Sequence, residues 1–206
     1  MGVPTNALLF SGGRDSCVLL HIMEPWLGET VVVWVNTGAA FESTIKQMEQ
    51  VKTDVPHFFE VRTDQPADIA KWGYPTDILP VRHDIQLHGY REPKLQSTAS
   101  CCAKSIWIPI KLALADLKVT AVYSGVREDE EMKDARWPMT IDGIQYKYPL
   151  KKWTKQMVQD YVIKHNIWVP PYYDTEGNSR DCWSCTGYLW ERKEQIANLP
   201  LIRKRK

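Results

Sequence analysis

Short apolar runs alternate with helix-period segments along the first half of the chain, which predicts alternating strands and helices. Ala7-Leu8-Leu9-Phe10 reads as a strand, and Cys17-Val18-Leu19-Leu20 reads as the body of a helix. Residues 30–35 form a β-branched run typical of a strand buried on both faces. In residues 41–51, Phe41, Ile45, Met48 and Val51 fall on one helical face. Residues 57–61 suggest a third strand and 119–123 a further one. Residues 106–117 are apolar nearly all round, which predicts a well-buried helix. Thr154 is placed to cap a helix over 154–165, and Pro170-Pro171 bars regular structure just beyond it. Residues 82–100 are polar, carry His83 and His88 and lack a period, so a loop or lid is expected. Residues 127–146 also read as mostly loop. The pattern predicts an α/β fold: a doubly wound, mostly parallel sheet with helices on both faces. No repeat or linker divides it, so one domain over 1–198 is expected, with 199–206 as a basic tail ending Arg203-Lys204-Arg205-Lys206.

Composition narrows the function classes. The chain has 206 residues and a net charge of +1, so no bulk field draws it to nucleic acid or membrane. No apolar run is long enough to span a bilayer, and Met1–Asn6 lacks the regions of a secretory signal. A cytoplasmic protein is expected. Nine tryptophans are many for this length, and most are expected in the core or lining a pocket.

Two groups of residues carry chemistry. The first is Ser11-Gly12-Gly13-Arg14-Asp15-Ser16, set between the first strand and a helix that Ser16 would open. Adjacent glycines let several backbone N–H groups converge, and a helix N-terminus favours an anion, so the loop suits phosphate. It is not a Walker A loop, because no Gly-Lys-Ser/Thr comes after it at the required spacing. In a doubly wound sheet, ligands lie beyond the carboxyl ends of the strands. That places Asn36-Thr37-Gly38 and Ser124-Gly125-Val126-Arg127 on the same rim. The second group is four of the five cysteines: adjacent Cys101 and Cys102, and Cys182 and Cys185 as Cys-x-x-Cys. In a reducing compartment such thiols point to a metal before a disulfide. Zinc with four thiolates and an iron–sulfur cluster both suit the set, and the adjacency of Cys101 and Cys102 favours the cluster. Cys17 stands apart and reads as a small core residue.

The loop resembles that of the PP-loop ATP pyrophosphatases. From about Asn6 to Tyr188 the chain resembles the adenylyl-sulfate and phosphoadenylyl-sulfate reductases of the adenine nucleotide α-hydrolase-like superfamily. Asn36-Thr37-Gly38 with Phe41-Glu42-Ser43-Thr44 resembles the family's Asp-Thr-Gly and Phe-x-Glu-Thr, with Asn in place of Asp. Ser124-Gly125-Val126-Arg127 with Arg136 resembles Gly-x-Arg…Arg, and Tyr148-Pro149-Leu150 to Trp153-Thr154 resembles Pro-Leu-x-x-Trp-Thr. Tyr173-Asp174, the Cys182–Thr186 stretch and Cys101-Cys102 with Pro109 complete the likeness. It implies a [4Fe–4S] cluster on Cys101, Cys102, Cys182 and Cys185.

Three departures matter. The loop is intact, as in enzymes that cleave ATP, whereas the reductases usually have it degraded. No Cys comes after Cys185, so the nucleophilic thiol of the reductases has no counterpart. Lys104 stands two positions earlier than the family's lysine. An intact loop with four cysteines is similar to the sulfur-transfer enzymes of DNA phosphorothioation and the cluster-dependent tRNA thiolases. The expected activity is therefore cleavage of ATP between the α and β phosphates to activate an acceptor, with the cluster assisting sulfur transfer. The alternatives are a reductase of adenylyl sulfate or its phosphorylated form using an external thiol, and a non-catalytic nucleotide- and cluster-binding subunit.

On this reading Gly12 and Gly13 amides, with the Ser11 and Ser16 hydroxyls, hold pyrophosphate, and Arg14 lies at the loop surface, either as a solvated charge or in contact with phosphate. Asp15 contacts Mg²⁺ or caps the helix. Thr37 and Gly125 approach the nucleotide, Arg127 and Arg136 neutralise phosphate charge, and Arg180 adjoins Cys182. The implied partners are an adenine nucleotide and a sulfur-donor or reductant protein. Nucleic acid as acceptor is not indicated by charge, and a homodimer stays open.

Overall fold

The computed structural model describes residues 4–75, 94–128, 139–170, 181–183 and 185. Strand β1 (Asn6–Leu9) leads into α1 (Arg14–Ile22) and a 3₁₀ turn at Glu24–Glu29. Then come β2 (Thr30–Asn36), α2 (Glu42–Asp54), β3 (Phe58–Arg62) and α3 (Gln65–Trp72). Short strands β4 (Tyr74–Pro75) and β5 (Leu95–Gln96) precede α4 (Thr98–Cys102), a π-helical turn at Ala103–Trp107, and α5 (Ile108–Asp116). The chain continues through β6 (Ala121–Tyr123), β7 (Met139–Ile141), β8 (Ile144–Lys147) and α6 (Lys155–Lys164).

Six strands form one sheet in the order β3-β2-β1-β6-β8-β7, and β4 pairs with β5 separately. Every neighbouring pair in the large sheet is parallel except β7 with β8. The register is set at Leu8, opposite Val32 on one side and Tyr123 on the other. Alternate residues serve opposite faces. Leu8, Phe10, Val32 and Trp34 pack with Val18 and Leu19 of α1, Met48 and Val51 of α2, and Val158 of α6. Ala7, Val31, Val33 and Val122 pack with Leu114 of α5. Helices on both faces of a mostly parallel sheet make the doubly wound α/β architecture. The chain leaves β1 for β2 and β3 on one side and returns to β6 on the other, so the order reverses between β1 and β6. That reversal opens a crevice at the carboxyl ends of these two strands. No helix among the described residues is long and apolar enough to cross a membrane.

Several expectations change. The inner face of α2 carries Thr44, Gln47, Met48 and Val51, while Ile45 is exposed, because the side chains that meet the glycine loop are polar. The helix over 106–117 is not buried all round: Ala113 and Leu114 are inside, but Trp107, Ile108 and Leu112 are more than half exposed. It covers one face of the sheet, and its other side turns away. Residues 127–146 hold the β7–β8 hairpin, whose turn residues Asp142 and Gly143 have φ of 50° and 81°. That pair with alternating flanks is the sequence signal for a tight hairpin turn. Of the described tryptophans, Trp26, Trp72, Trp107, Trp168 and Trp183 are exposed and Trp34 is buried, so most are not core residues. In 82–100 the described part has structure of its own, namely β5 and the start of α4.

Candidate nucleotide and thiol site

Helix α1 starts at Arg14, two residues before Ser16, with Gly13 as its N-cap. Gly12 has φ of +78°, open to glycine and strained for other residues, and it turns the chain from strand to helix. Gly13 N donates to Ser11 Oγ at 3.2 Å. Ser16 is buried and its hydroxyl donates to Gly13 O at 2.8 Å, so it braces the loop from within. Ser11 Oγ lies 3.3 Å from Ser16 Oγ, and Ser11 is exposed.

The loop after β6 packs directly on this turn. A Cβ on Gly125 would lie 3.1 Å from the Asp15 carbonyl carbon, so glycine suits this close approach. Two residues on, Arg127 is 6% exposed and its Nε donates to Asp15 Oδ1 at 2.5 Å. Asp15 lies in the first turn of α1, and its partner is this guanidinium. The two loops enclose a cavity of about 290 Å³ lined by Ser11, Gly13, Asp15, Ser16, Thr44 and Gly125, with Trp34 and Ile110 on its apolar side. Thr44 Oγ1 and Gln47 Oε1 are buried without a hydrogen-bond partner. Both belong to α2 behind the loop. In the sequence Thr44 is visible only as the last residue of the Phe41–Thr44 motif, and no signal marks Gln47. Cys17 is a core residue as expected: burial pushes its thiol up to about 12, against a weaker opposing hydrogen bond from Gln47.

Beside this cavity, the turn after β2 meets the segment that carries Cys182. Thr37 is 1% exposed, and its hydroxyl accepts from Ala39 N at 3.3 Å and meets Cys182 Sγ at 3.2 Å. Trp183 N donates to Ala39 O at 2.9 Å, so Cys182 and Trp183 are hung on the turn. Thr37 thus faces the thiols and is not among the cavity's lining residues. On the other side, Gln65 Nε2 points at Cys101 Sγ at 4.0 Å. None of the five cysteines is in a disulfide. Burial first, with a smaller contribution from the charge of Cys185, pushes Cys102 and Cys182 up to about 12. Cys101 is also raised, first by burial, and it lies within electrostatic reach of Cys185 and Cys102. The two pairs therefore share one neighbourhood. Among the described residues, no three His, Cys, Asp or Glu side chains converge closely enough to hold one metal ion.

The remaining expected residues are scattered. Asn36 donates to Glu60 Oε1 at 2.8 Å and accepts from Gly38 N at 3.0 Å. Lys104 donates to Gln96 Oε1 at 2.8 Å and sits over the Trp72 ring, which uses its charge away from the thiols. Arg136, Arg180, His83, His88, Tyr173, Asp174 and the basic tail 203–206 lie outside the described residues.

Comparison with known proteins agrees with this frame. The family described as "Phosphoadenosine phosphosulfate reductase domain" matches residues 5–188. A phosphoadenosine 5'-phosphosulfate reductase from Synechocystis is 23% identical over 175 residues, covering 83% of this chain and 65% of its own. An adenosine 5'-phosphosulfate reductase from Bacillus cereus is 25% identical over 182 residues, covering 85% and 70%. The chain thus spans about two thirds of the length of these relatives. Among solved structures, phosphoadenylyl-sulfate reductase from Candida auris, a phosphate complex, superimposes with a TM-score of 0.62 at 15% identity, covering 87% of this chain and 82% of that one. An NH₃-dependent NAD synthetase from Campylobacter jejuni gives 0.52 at 13% identity, covering 98% and 78%. These two likenesses speak for the fold. The sequence match spans nearly all of the strands, loops and cysteines just described, and the chain belongs to the phosphoadenosine phosphosulfate reductase domain family.

Proposed function

We propose that this chain is the nucleotide-binding, thiol-bearing domain of a sulfonucleotide reductase that takes adenylyl sulfate or its phosphorylated form. The observation that carries the reading is the juxtaposition of an anion-suited loop with the thiol cluster, of which Cys182 meets the adjoining strand-end turn. The names of the relatives favour the same chemistry. In that reaction a thiolate attacks the sulfate sulfur and the adenosine phosphate leaves. A second thiol then attacks the sulfur of the first thiol, releasing sulfite and forming a disulfide. In this reading the four clustered cysteines serve as ligands and a reductant protein supplies the reacting thiols.

The chain's own residues bind and orient. Backbone N–H groups at Gly12 and Gly13 and the α1 N-terminus would hold the phosphate. Arg127 would hold Asp15 at the cavity wall, and Arg136 would add charge. Trp34, Val35 and Ile110 would cover the adenine. The donor set of Cys101, Cys102, Cys182 and Cys185 places four thiols in one neighbourhood, the ligand type and number that a [4Fe–4S] cluster takes. A cluster there would tie the two pairs together and place a fixed charge beside the anionic ligand. Five cysteines outside any disulfide suit a reducing compartment such as the cytoplasm.

A second reading, cleavage of ATP to activate an acceptor, is favoured by the intact Ser11–Ser16 loop. Mg²⁺ binds through one or two carboxylates plus phosphates, and Asp15 offers one. Anaerobic calorimetry separates the readings. Binding of adenylyl sulfate at least about tenfold tighter than Mg-ATP, equal to about 1.4 kcal/mol, is expected. The reverse order, with pyrophosphate release that Asp15→Asn abolishes, would replace the first reading with the second.

A further inference from the structure

Two buried polar side chains reach one cysteine from each pair, and a backbone hydrogen bond joins the two residues that carry them. Thr37 and Gln65 are each 1% exposed. Gln65 N donates to Thr37 O at 2.8 Å, which welds the start of α3 to the end of β2. At this joint the unligated Cys182 Sγ donates to Thr37 Oγ1, a direction that ligation of the sulfur would reverse, and Gln65 Nε2 points at Cys101. The joint is braced on both sides. Thr63 N donates to Asn36 O at 2.9 Å, and Thr63 Oγ1 donates at 2.8 Å to the carbonyl of Ser105, in the π-helical turn just after Cys102. Asn36 locks the turn from below by donating to Glu60 and accepting from Gly38. An aspartate here would set two carboxylates 2.8 Å apart, which accounts for asparagine at the position where the family motif has aspartate.

We propose that Thr37 and Gln65 are positioning residues that hold the two cysteine pairs in register by hydrogen bonding to sulfur. The inference rests on the four-thiol reading above and names the residues that build it. Donor chemistry supports the assignment. A buried hydroxyl or amide that loses its hydrogen bond is costly, and sulfur lies within reach of both. Thr37 Oγ1 already accepts from Ala39 N, so its own proton is available to a ligated sulfur, which has none to give. The Gln65 side-chain nitrogen can only donate. Residues that hydrogen bond to ligating groups orient them and tune the bound metal.

The test uses the full chain with near-isosteric changes, Thr37→Val and Gln65→Leu, and Thr37→Ser as the conservative control. Each protein is loaded anaerobically with iron and sulfide and then challenged with an iron chelator. Bleaching about tenfold faster in Thr37→Val and Gln65→Leu than in wild type is expected, with Thr37→Ser close to wild type. The reduction potential should fall in both, since each loses a donor to sulfur. Equal bleaching rates and potentials in all four proteins would overturn the proposal. Failure of the wild type to take up iron and sulfide would refute the cluster and leave the register to be tested on the thiols alone. In that case cross-linking of Cys101 or Cys102 to Cys182 or Cys185 by a mild oxidant should be slower in both variants. Equal cross-linking rates would overturn it.

Discussion

At the scale of the residue, the phosphate loop depends on what glycine lacks. A Cβ on Gly12 would lie 2.5 Å from Gln47 Oε1 and 3.0 Å from Met48 Cε, and φ is +78°. Two separable costs arise: backbone strain of about 1–2 kcal/mol for a left-handed alanine, and a clash with one flexible side chain. Gly12→Ala should therefore lower stability by about 2 kcal/mol. Adding Gln47→Ala should recover only the clash. Urea midpoints of the two single variants and the double variant measure this; full recovery in the double variant would show that φ costs nothing here. Gly12 is legible in the sequence because adjacent glycines between a strand and a helix have few other uses. The orphaned Gln47 behind it is not, since its role comes from α2 crossing the loop.

At the scale of the element, local chemistry sets the helix starts. Asp64 accepts from Ala67 N at 2.9 Å and Thr154 from Met157 N at 3.2 Å. Replacing either with alanine should cost about 1 kcal/mol, and the double variant should cost about the sum, because the caps serve separate helices. Chemical denaturation tests this, and a change near zero would mean that packing alone holds the helix end. Thr154 is readable as a cap from its place before a periodic segment. Helix α3 is harder to read, although Asp64-Gln65-Pro66 carries the same kind of signal, because its apolar period is short. The π-helical turn after Cys102 has no sequence signature and comes from how α4 and α5 dock.

At the scale of the whole molecule, burial couples the fold to alkaline pH through Cys17. Its ordinary value is 9.0 and burial pushes it up to about 12. The folded chain therefore keeps a proton that the unfolded chain releases between these values. The resulting stabilisation is full below pH 9 and declines as pH rises toward 12. Cys17→Ala should lower stability at all pH by opening a small cavity, yet its stability should decline less steeply than that of wild type above the ordinary thiol value of 9.0. Parallel curves would show that Cys17 does not carry the effect. What the sequence by itself determined is local. Apolar runs specify strands, because strand burial needs only neighbours in the chain's own pattern, and Ser11–Ser16 specifies an anion-binding turn, because its glycines act within one short loop. The tertiary structure alone decided which side chains meet across the sheet: Arg127 with Asp15, Thr37 with Cys182, and Gln65 with Cys101. These contacts join residues between 36 and 145 positions apart, a separation that only the return of the chain to the β1 rim can close.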